Sequence, residues 1–275
     1  MEQPLVSVII GTYNPVLEHL EMSIKSIISQ SYSNWEMWLC DDGSDTEIQN
    51  QIKELAKIDG RINYIRNEHN NGLASALNRC LQCSRGEFVA RMDDDDYSTV
   101  DRFERQVYFL MNNNEYSWVG SLAYLFDENG IWGEGNRIEM PDKKDYLKYS
   151  PYIHPSVMFR KSIFDVAGMY CTKKTTLRCE DYELFMRFAA MGLRGYNIQE
   201  KLFWYREPEL KMKRKWKYCI NEMLIRIQGF YRLKIGGGLP IIYIFKPIIV
   251  CCMAQIPSLA QYVRVRKHDG NCKTR

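Results

Sequence analysis

Between residues 5 and 92 the chain alternates short apolar runs with amphipathic stretches of helical period, and few folds accommodate that order. Residues 5–11 are rich in β-branched side chains, as in a strand buried on both faces. Residues 16–30 then repeat Leu17, Leu20, Ile24, Ile27 and Ile28 at helical spacing. Strands are predicted again at 35–40, 62–66 and 87–92, with helices at 48–58 and 73–83 between them. The order βαβαβαβ predicts an α/β fold, a mostly parallel sheet with helices on both faces. Ligands of such sheets bind beyond the carboxyl ends of the strands. Residues 11–15, 41–45, 67–72 and 93–97 stand at those ends and are expected to line one crevice.

Beyond residue 100 the pattern is mixed, with strands predicted at 118–126, 157–160 and 202–205 and helices at 102–111, 161–166 and 180–191. A length of 275 residues, 45% of them apolar, suits one large domain with an extension. Charge divides the chain near residue 210. Residues 1–210 hold 23 Lys and Arg against 32 Asp and Glu, a net −9, whereas residues 211–275 hold 14 against 2, a net +12. A basic tail on a mildly acidic body points to an anionic partner for the tail.

The tail opens with Lys211-Met-Lys-Arg-Lys-Trp-Lys217 and a helical stretch to residue 233, then passes Gly236-Gly-Gly238. An apolar stretch follows at 239–260, interrupted by Pro240, Lys246, Pro247 and Pro257, with Arg264, Arg266 and Lys267 beyond. Basic residues flanking an apolar stretch suit a membrane surface and not a nucleic-acid groove. The stretch is long enough to span a bilayer, but its prolines and Lys246 favour a broken helix lying in the interface. The expected division is an α/β body at 1–210 and a helical, membrane-associating extension at 211–275, with no nucleic-acid partner. Met1-Glu2-Gln3-Pro4 lacks the basic start and apolar core of a signal peptide. The nine cysteines, an odd number without a framework, suit a reducing compartment, so a cytoplasmic location at the inner face of the membrane is expected. Cys80-x-x-Cys83 falls inside a helix and finds no second pair to complete a zinc site.

Asp93-Asp94-Asp95-Asp96 directly follows the fourth strand. Adjacent carboxylates repel one another unless water or a cation offsets the charge. The run is therefore a solvated acidic turn, a calcium loop, or a D-x-D site for Mg²⁺ or Mn²⁺ whose other positions take substrate phosphates. Ser98 stands where an EF-hand loop needs glycine. Asp41-Asp42-Gly43-Ser44-Asp45 is either an Asp-Gly turn or a set of acceptors for a base or ribose. Thr12-Tyr13-Asn14-Pro15 either caps the next helix or meets a base. No G-x-G-x-x-G follows the first strand and no G-x-x-x-x-G-K-[ST] occurs, which argues against a dinucleotide fingerprint or a P-loop. Glu180-Asp181 opens a helix, where acids suit the dipole or one of them serves as a general base. His154 is a structural histidine, a diphosphate partner or a metal ligand.

Seven pieces in register resemble the bacterial family 2 glycosyltransferases of GT-A fold that build capsule, O-antigen and exopolysaccharide. They are Val6-Ser-Val-Ile-Ile-Gly-Thr-Tyr-Asn14, Gln30-Ser-Tyr-Ser-Asn-Trp-Glu36, Cys40-Asp-Asp-Gly-Ser-Asp45, Asn71-Gly-Leu-Ala-Ser-Ala-Leu-Asn78, Gly86-Glu-Phe-Val-Ala-Arg-Met-Asp-Asp-Asp-Asp96, His154-Pro-Ser-Val-Met158 and Glu180-Asp-Tyr-Glu-Leu184. The resemblance covers residues 5–207 and rests on the order of the pieces, since none is specific alone. It implies an inverting transfer of a hexose or N-acetylhexosamine from a nucleotide sugar, UDP-linked, to a lipid-linked or other saccharide acceptor. It assigns Thr12, Tyr13, Asn14 and Asp42 to the nucleotide with Asp41 beside them, and Asn71, Arg91, Asp93 and Asp94 nearby. Asp95 becomes the direct ligand of Mg²⁺ or Mn²⁺, with Asp93, and Asp181 the catalytic base. Asp94 departs from the family, where many members carry a small residue. The rival reading is a sugar nucleotidyltransferase, which needs a basic, Gly-rich triphosphate loop after the first strand. Gly11-Thr-Tyr-Asn-Pro15 has no basic residue.

Overall fold

In the computed structural model, residues 3–207, 215–236 and 239–255 are described. β1 (Val6–Thr12), α1 (Leu17–Ile28), β2 (Trp35–Asp41), α2 (Thr46–Ala56), β3 (Ile62–Arg66), α3 (Leu73–Cys83) and β4 (Phe88–Arg91) follow the expected alternation. The chain continues through β5 (Tyr97–Ser98), α4 (Arg102–Asn112), β6 (Trp118–Asp127), β7 (Gly130–Gly135), β8 (Met158–Arg160), α5 (Ser162–Ala167), α6 (Glu180–Ala190) and β9 (Gly195–Arg206). Two helices close the described chain, α7 (Trp216–Arg232) and α8 (Leu239–Gln255).

The described strands form one sheet in the order β3-β2-β1-β4-β8-β6-β9-β5, with β7 beside β6. The first four are parallel. The far half is mixed: β8 runs antiparallel to both β4 and β6, β6 pairs in parallel with β9, and β5 and β7 are antiparallel additions. β1 lies between β2 and β4, so the strand order reverses at its edge and opens a crevice beyond the tips of β1 and β4.

Alternation along β1 sends Val6, Val8 and Ile10 into one core layer and Ile9 into the other. The first layer holds Leu20, Ile24 and Ile27 of α1, Ile52 of α2, and Phe103, Val107 and Leu110 of α4. The second holds Leu77 of α3, Phe164 of α5, Phe185 and Phe188 of α6, and Ile225 and Phe230 of α7. Each such side chain contributes roughly 1.5–3 kcal/mol of burial. α7 thus belongs to the central core of the body, although the charge break near residue 210 separates it in the sequence. Gly229 of α7 sits so close to α6 that a Cβ there would meet Met186 Sδ at 2.2 Å.

The apolar stretch that follows was expected to break at its prolines. α8 instead runs on through Pro247, whose missing N–H removes a single backbone hydrogen bond of the helix. No helix among the described residues is long and apolar enough to cross a membrane. The hairpin of α7 and α8 exposes large apolar side chains: Trp216, Ile220, Ile227 and Tyr231 from α7, and Ile241, Ile242, Phe245 and Ile249 from α8. Within each helix these positions fall on one face. Residues 211–214 and 256–275, which carry much of the basic charge, lie outside the described residues.

Candidate active site

Two turns and a loop build one wall of the crevice. Asp41 ends β2 with no exposed surface. Its Oδ1 accepts Ser44 N–H at 2.8 Å, and its Oδ2 accepts the Tyr64 hydroxyl at 2.9 Å and Arg66 Nε at 3.3 Å. The carboxylate of Asp41, which the resemblance sets beside the nucleotide residues, is enclosed and holds the turn. Asp42 accepts Asn67 Nδ2 at 2.7 Å, Asn71 N–H at 3.1 Å and Gly72 N–H at 2.7 Å, so it draws the loop after β3 against the tip of β2. Of roughly four acceptor positions on a carboxylate, one remains. Gly43, at φ +84°, lets that loop approach: a Cβ there would stand 2.7 Å from the His69 carbonyl carbon. Asn71 itself is exposed, and its Nδ2 donates to His69 O at 3.0 Å.

At the tip of β1, Tyr13 is 48% exposed and free to stack on a ligand. Asn14 takes left-handed backbone at φ 45°, which asparagine tolerates. Its N–H donates to Ser44 Oγ at 2.9 Å, its Oδ1 accepts Asp45 N–H at 2.9 Å, and its Nδ2 donates to Asp45 Oδ2 at 3.2 Å. Asn14 therefore fastens the tips of β1 and β2 together. Thr12 is buried, and its hydroxyl donates to Asp94 Oδ2 across the point where strand order reverses.

The acidic run forms the floor. A tight turn between β4 and β5 brings Asp93, Asp95 and Asp96 together, with one carboxylate oxygen of each within 4.8 Å of the others. The first and last residues of such a turn approach one another, which is why Asp96 joins the D-x-D pair that sequence spacing alone identifies. Asp96 is fully buried; its Oδ1 accepts Arg206 N–H at 2.6 Å, and its Oδ2 has no partner. Burial and the charges of Asp93 and Asp95 push its pKa well up. Burial, then Asp93 and Asp94, push Asp95 up to about 7, and burial pushes Asp94 up to about 6. These are oxygen donors crowded together with an unpaired buried oxygen among them, a set suited to Mg²⁺ or Mn²⁺. Arg206, at the end of β9, also donates from Nε to Asp95 O at 2.9 Å. Nothing local in the sequence marks Arg206, since it reaches the turn only through the pairing of β5 with β9.

Arg91 is buried behind the floor and pairs with Asp93 at 2.5 Å. Burial alone would weaken its charge, but the Asp93 carboxylate outweighs that and holds the proton more tightly than usual. Its Nε and Nη1 find no protein partner. His154 is also buried, with Nε2 paired to the Tyr170 hydroxyl at 2.7 Å and the ring edge-on to Tyr170 and Phe185. Burial and the charge of Arg91 hold its pKa well down. His154 is not one of the three residues whose ligand atoms converge at the acidic turn. Tyr170, which sequence reasoning passed over, is its partner.

Asp181 stands in the first turn of α6 and is partly exposed. Burial of the carboxylate and the charge of Glu180 push its pKa up to about 6, against the opposing effects of Tyr182 N–H and Arg91. Arg178, immediately before the N-cap Cys179, takes φ 67° and is one of the few non-glycine left-handed residues described, a strain of order 1–3 kcal/mol. Arg137 was not singled out by the sequence. Its guanidinium lies 5.3 Å over the Tyr149 ring and feels the charge of Asp181, and its Nε is buried without a partner.

The sequence profile described as Glycosyl transferase family 2 matches residues 7–178. EpsE of Bacillus subtilis is 40% identical over 90% of this chain and 88% of its own. The Escherichia coli protein WfgD, named UDP-Glc:alpha-D-GlcNAc-diphosphoundecaprenol beta-1,3-glucosyltransferase, is 34% identical over 54% of this chain and 56% of its own. The mannosyltransferase PcManGT from Pyrobaculum calidifontis, solved in complex with GDP-Man and Mn²⁺, superposes with a TM-score of 0.62 at 19% identity. That superposition covers 100% of this chain and 77% of the other, and it shows the GT-A fold.

Proposed function

Given that this chain belongs to glycosyl transferase family 2, and is a glycosyltransferase, we propose that it is an inverting, metal-dependent member acting in cell-surface polysaccharide synthesis. It moves a hexose or N-acetylhexosamine from a UDP-linked donor to a lipid-linked saccharide. The observation that supports this best is the convergence of Asp93, Asp95 and Asp96 at the β1/β4 switch point, in a chain whose Asp181 is poised near pKa 6.

In this reading the nucleotide lies along the wall built by Thr12, Tyr13 and Asn14. Tyr13 stacks on the base and Asp42 offers its remaining acceptor position. Asp93, Asp95 and Asp96 hold Mg²⁺ or Mn²⁺. When bound, the cation supplies Lewis-acid stabilisation of charge on the departing diphosphate. The unpaired Nε and Nη1 of Arg91 supply positive charge behind the same phosphates. The acceptor hydroxyl attacks the anomeric carbon as the bond to the diphosphate oxygen breaks, and Asp181 takes the hydroxyl proton. One displacement inverts the anomeric configuration.

A donor screen tests the reading. Purified protein is incubated with common UDP- and GDP-sugars, with and without Mn²⁺ and a polyprenyl-diphosphate-linked N-acetylhexosamine. One donor is expected to be consumed, with metal dependence and an inverted product anomer by NMR. Retention of configuration, or full turnover in chelator, overturns it.

The pKa of Asp181 sets a pH limb. A base must be ionised, so at saturating Mn²⁺ the rate is expected to fall as pH drops through about 6 and to level off above it. A limb that moves with Mn²⁺ concentration would belong to the acidic cluster instead.

The exposed apolar faces of α7 and α8 support peripheral attachment to the inner face of the plasma membrane. The basic residues 211–217 would add about 1 kcal/mol each against anionic lipid, screened by salt. Flotation with anionic liposomes at low salt is expected to carry the full-length protein upward, and detergent rather than high salt to release it. Recovery in the unbound fraction at low salt rejects the attachment.

A further inference from the structure

Beyond its apolar packing, α7 grips main-chain carbonyls of the body at two places beside the first turn of α6. Asn221 is 6% exposed, and its Nδ2 donates to Lys174 O at 3.1 Å and to Leu177 O at 3.3 Å. These carbonyls belong to the loop that runs through strained Arg178 straight into Glu180-Asp181. Five residues further along α7, Arg226 is 2% exposed and donates from Nη1 to Leu147 O at 2.6 Å and from Nη2 to Lys148 O at 3.1 Å.

That second segment also docks on α6, because the Tyr182 hydroxyl donates to Tyr146 O. The guanidinium of Arg226 lies 5.2 Å over the Tyr182 ring, so Tyr182 is held from both ends. The next residue of the segment, Tyr149, is the one that Arg137 covers, and Arg137 in turn feels the Asp181 charge. Glu222 pairs with Arg226 at 2.9 Å and keeps the fork aimed at the two carbonyls. Both contacts are main-chain anchors. They fix where a loop runs without engaging its side chains.

We propose that α7 is the positioning element for the acceptor side of the site, with Asn221 and Arg226 as positioning residues that hold the two loops bracketing Asp181 for a saccharide acceptor. The proposal rests on the functional reading above for the identity of the acceptor. The nucleotide wall, built from β1, β2 and the loop after β3, has no contact with either residue in the bonds above. Loss of either anchor therefore misplaces the acceptor and leaves the nucleotide where it was. A displacement of about 1 Å at a reacting centre costs on the order of 10²-fold in rate.

The test uses the full chain and two variants. Asn221→Ala removes one anchor by deleting the carboxamide that donates to both carbonyls. Arg226→Lys keeps the charge beside Glu222 but loses the planar fork that spans two carbonyls. Hydrogen exchange is expected to quicken in residues 173–181 for Asn221→Ala and in residues 145–149 for Arg226→Lys, each without the other. UDP affinity in Mn²⁺, read by calorimetry, is expected to stay at the wild-type value. Transfer to a polyprenyl-diphosphate-linked N-acetylhexosamine is expected to fall on the order of 10²-fold in each variant. Unchanged exchange in both segments, or UDP affinity falling in step with transfer, overturns the proposal. If the wild-type protein transfers no sugar from any donor, the functional reading fails, and the exchange pattern still decides whether α7 holds the loops.

Discussion

Asp95→Asn is expected to lose activity and gain stability together. A cation at the leaving diphosphate is worth several kcal/mol of transition-state stabilisation, and each 1.36 kcal/mol is tenfold in rate. The variant should therefore fall by about 10²–10³-fold in turnover at saturating donor and low Mn²⁺. Its melting temperature in chelator should rise at pH 8. The reason is that the folded protein raises the Asp95 pKa to about 7 through burial and its acidic neighbours. The folded state thus binds that proton more tightly than the unfolded chain, and stability falls as pH climbs from about 4 towards 7. Asparagine does not ionise and removes that loss. Paired kinetic and melting measurements check both halves; near wild-type turnover at low Mn²⁺ would reject the metal assignment.

Asp181→Asn is expected to cost about 10²–10⁴-fold in rate, the range for removal of a general base. UDP affinity should hardly move if Asp181 serves the acceptor, as proposed above. The acid limb near pH 6 should vanish with the carboxylate that causes it. Calorimetry showing lost UDP affinity in this variant would place Asp181 on the nucleotide and sink its role as base.

The parallel half of the sheet was legible because its strands are buried on both faces and read as continuous apolar runs. β1 is buried at every residue. The mixed half hides its strands. β7 reads Gly-Ile-Trp-Gly-Glu-Gly and stays largely exposed, and β5 has only two residues. β9 begins well before its apolar end at Leu202, since Gln199, Glu200 and Lys201 lie on irregular, solvated pairing with β6. Motif order found the acidic run and Asp181, but spacing cannot reveal which oxygens the fold has already engaged. Tyr64 and Arg66 enclose Asp41, and Tyr170 occupies His154. The charge break made α7 look like a tail, whereas Ile225 and Phe230 sit in the central core.

The order in which strands enter the sheet carries a consequence for synthesis on the ribosome. β1 to β4 can pair once residue 91 has emerged, and the nucleotide wall with them. The acidic floor waits for the main chain of Arg206, which ties down Asp96, and the loops beside Asp181 wait for Asn221 and Arg226. At about 5–20 residues per second, the interval from residue 91 to residue 206 lasts roughly 6–23 s. Throughout that time a nascent chain can present the nucleotide wall without an assembled floor or a positioned base.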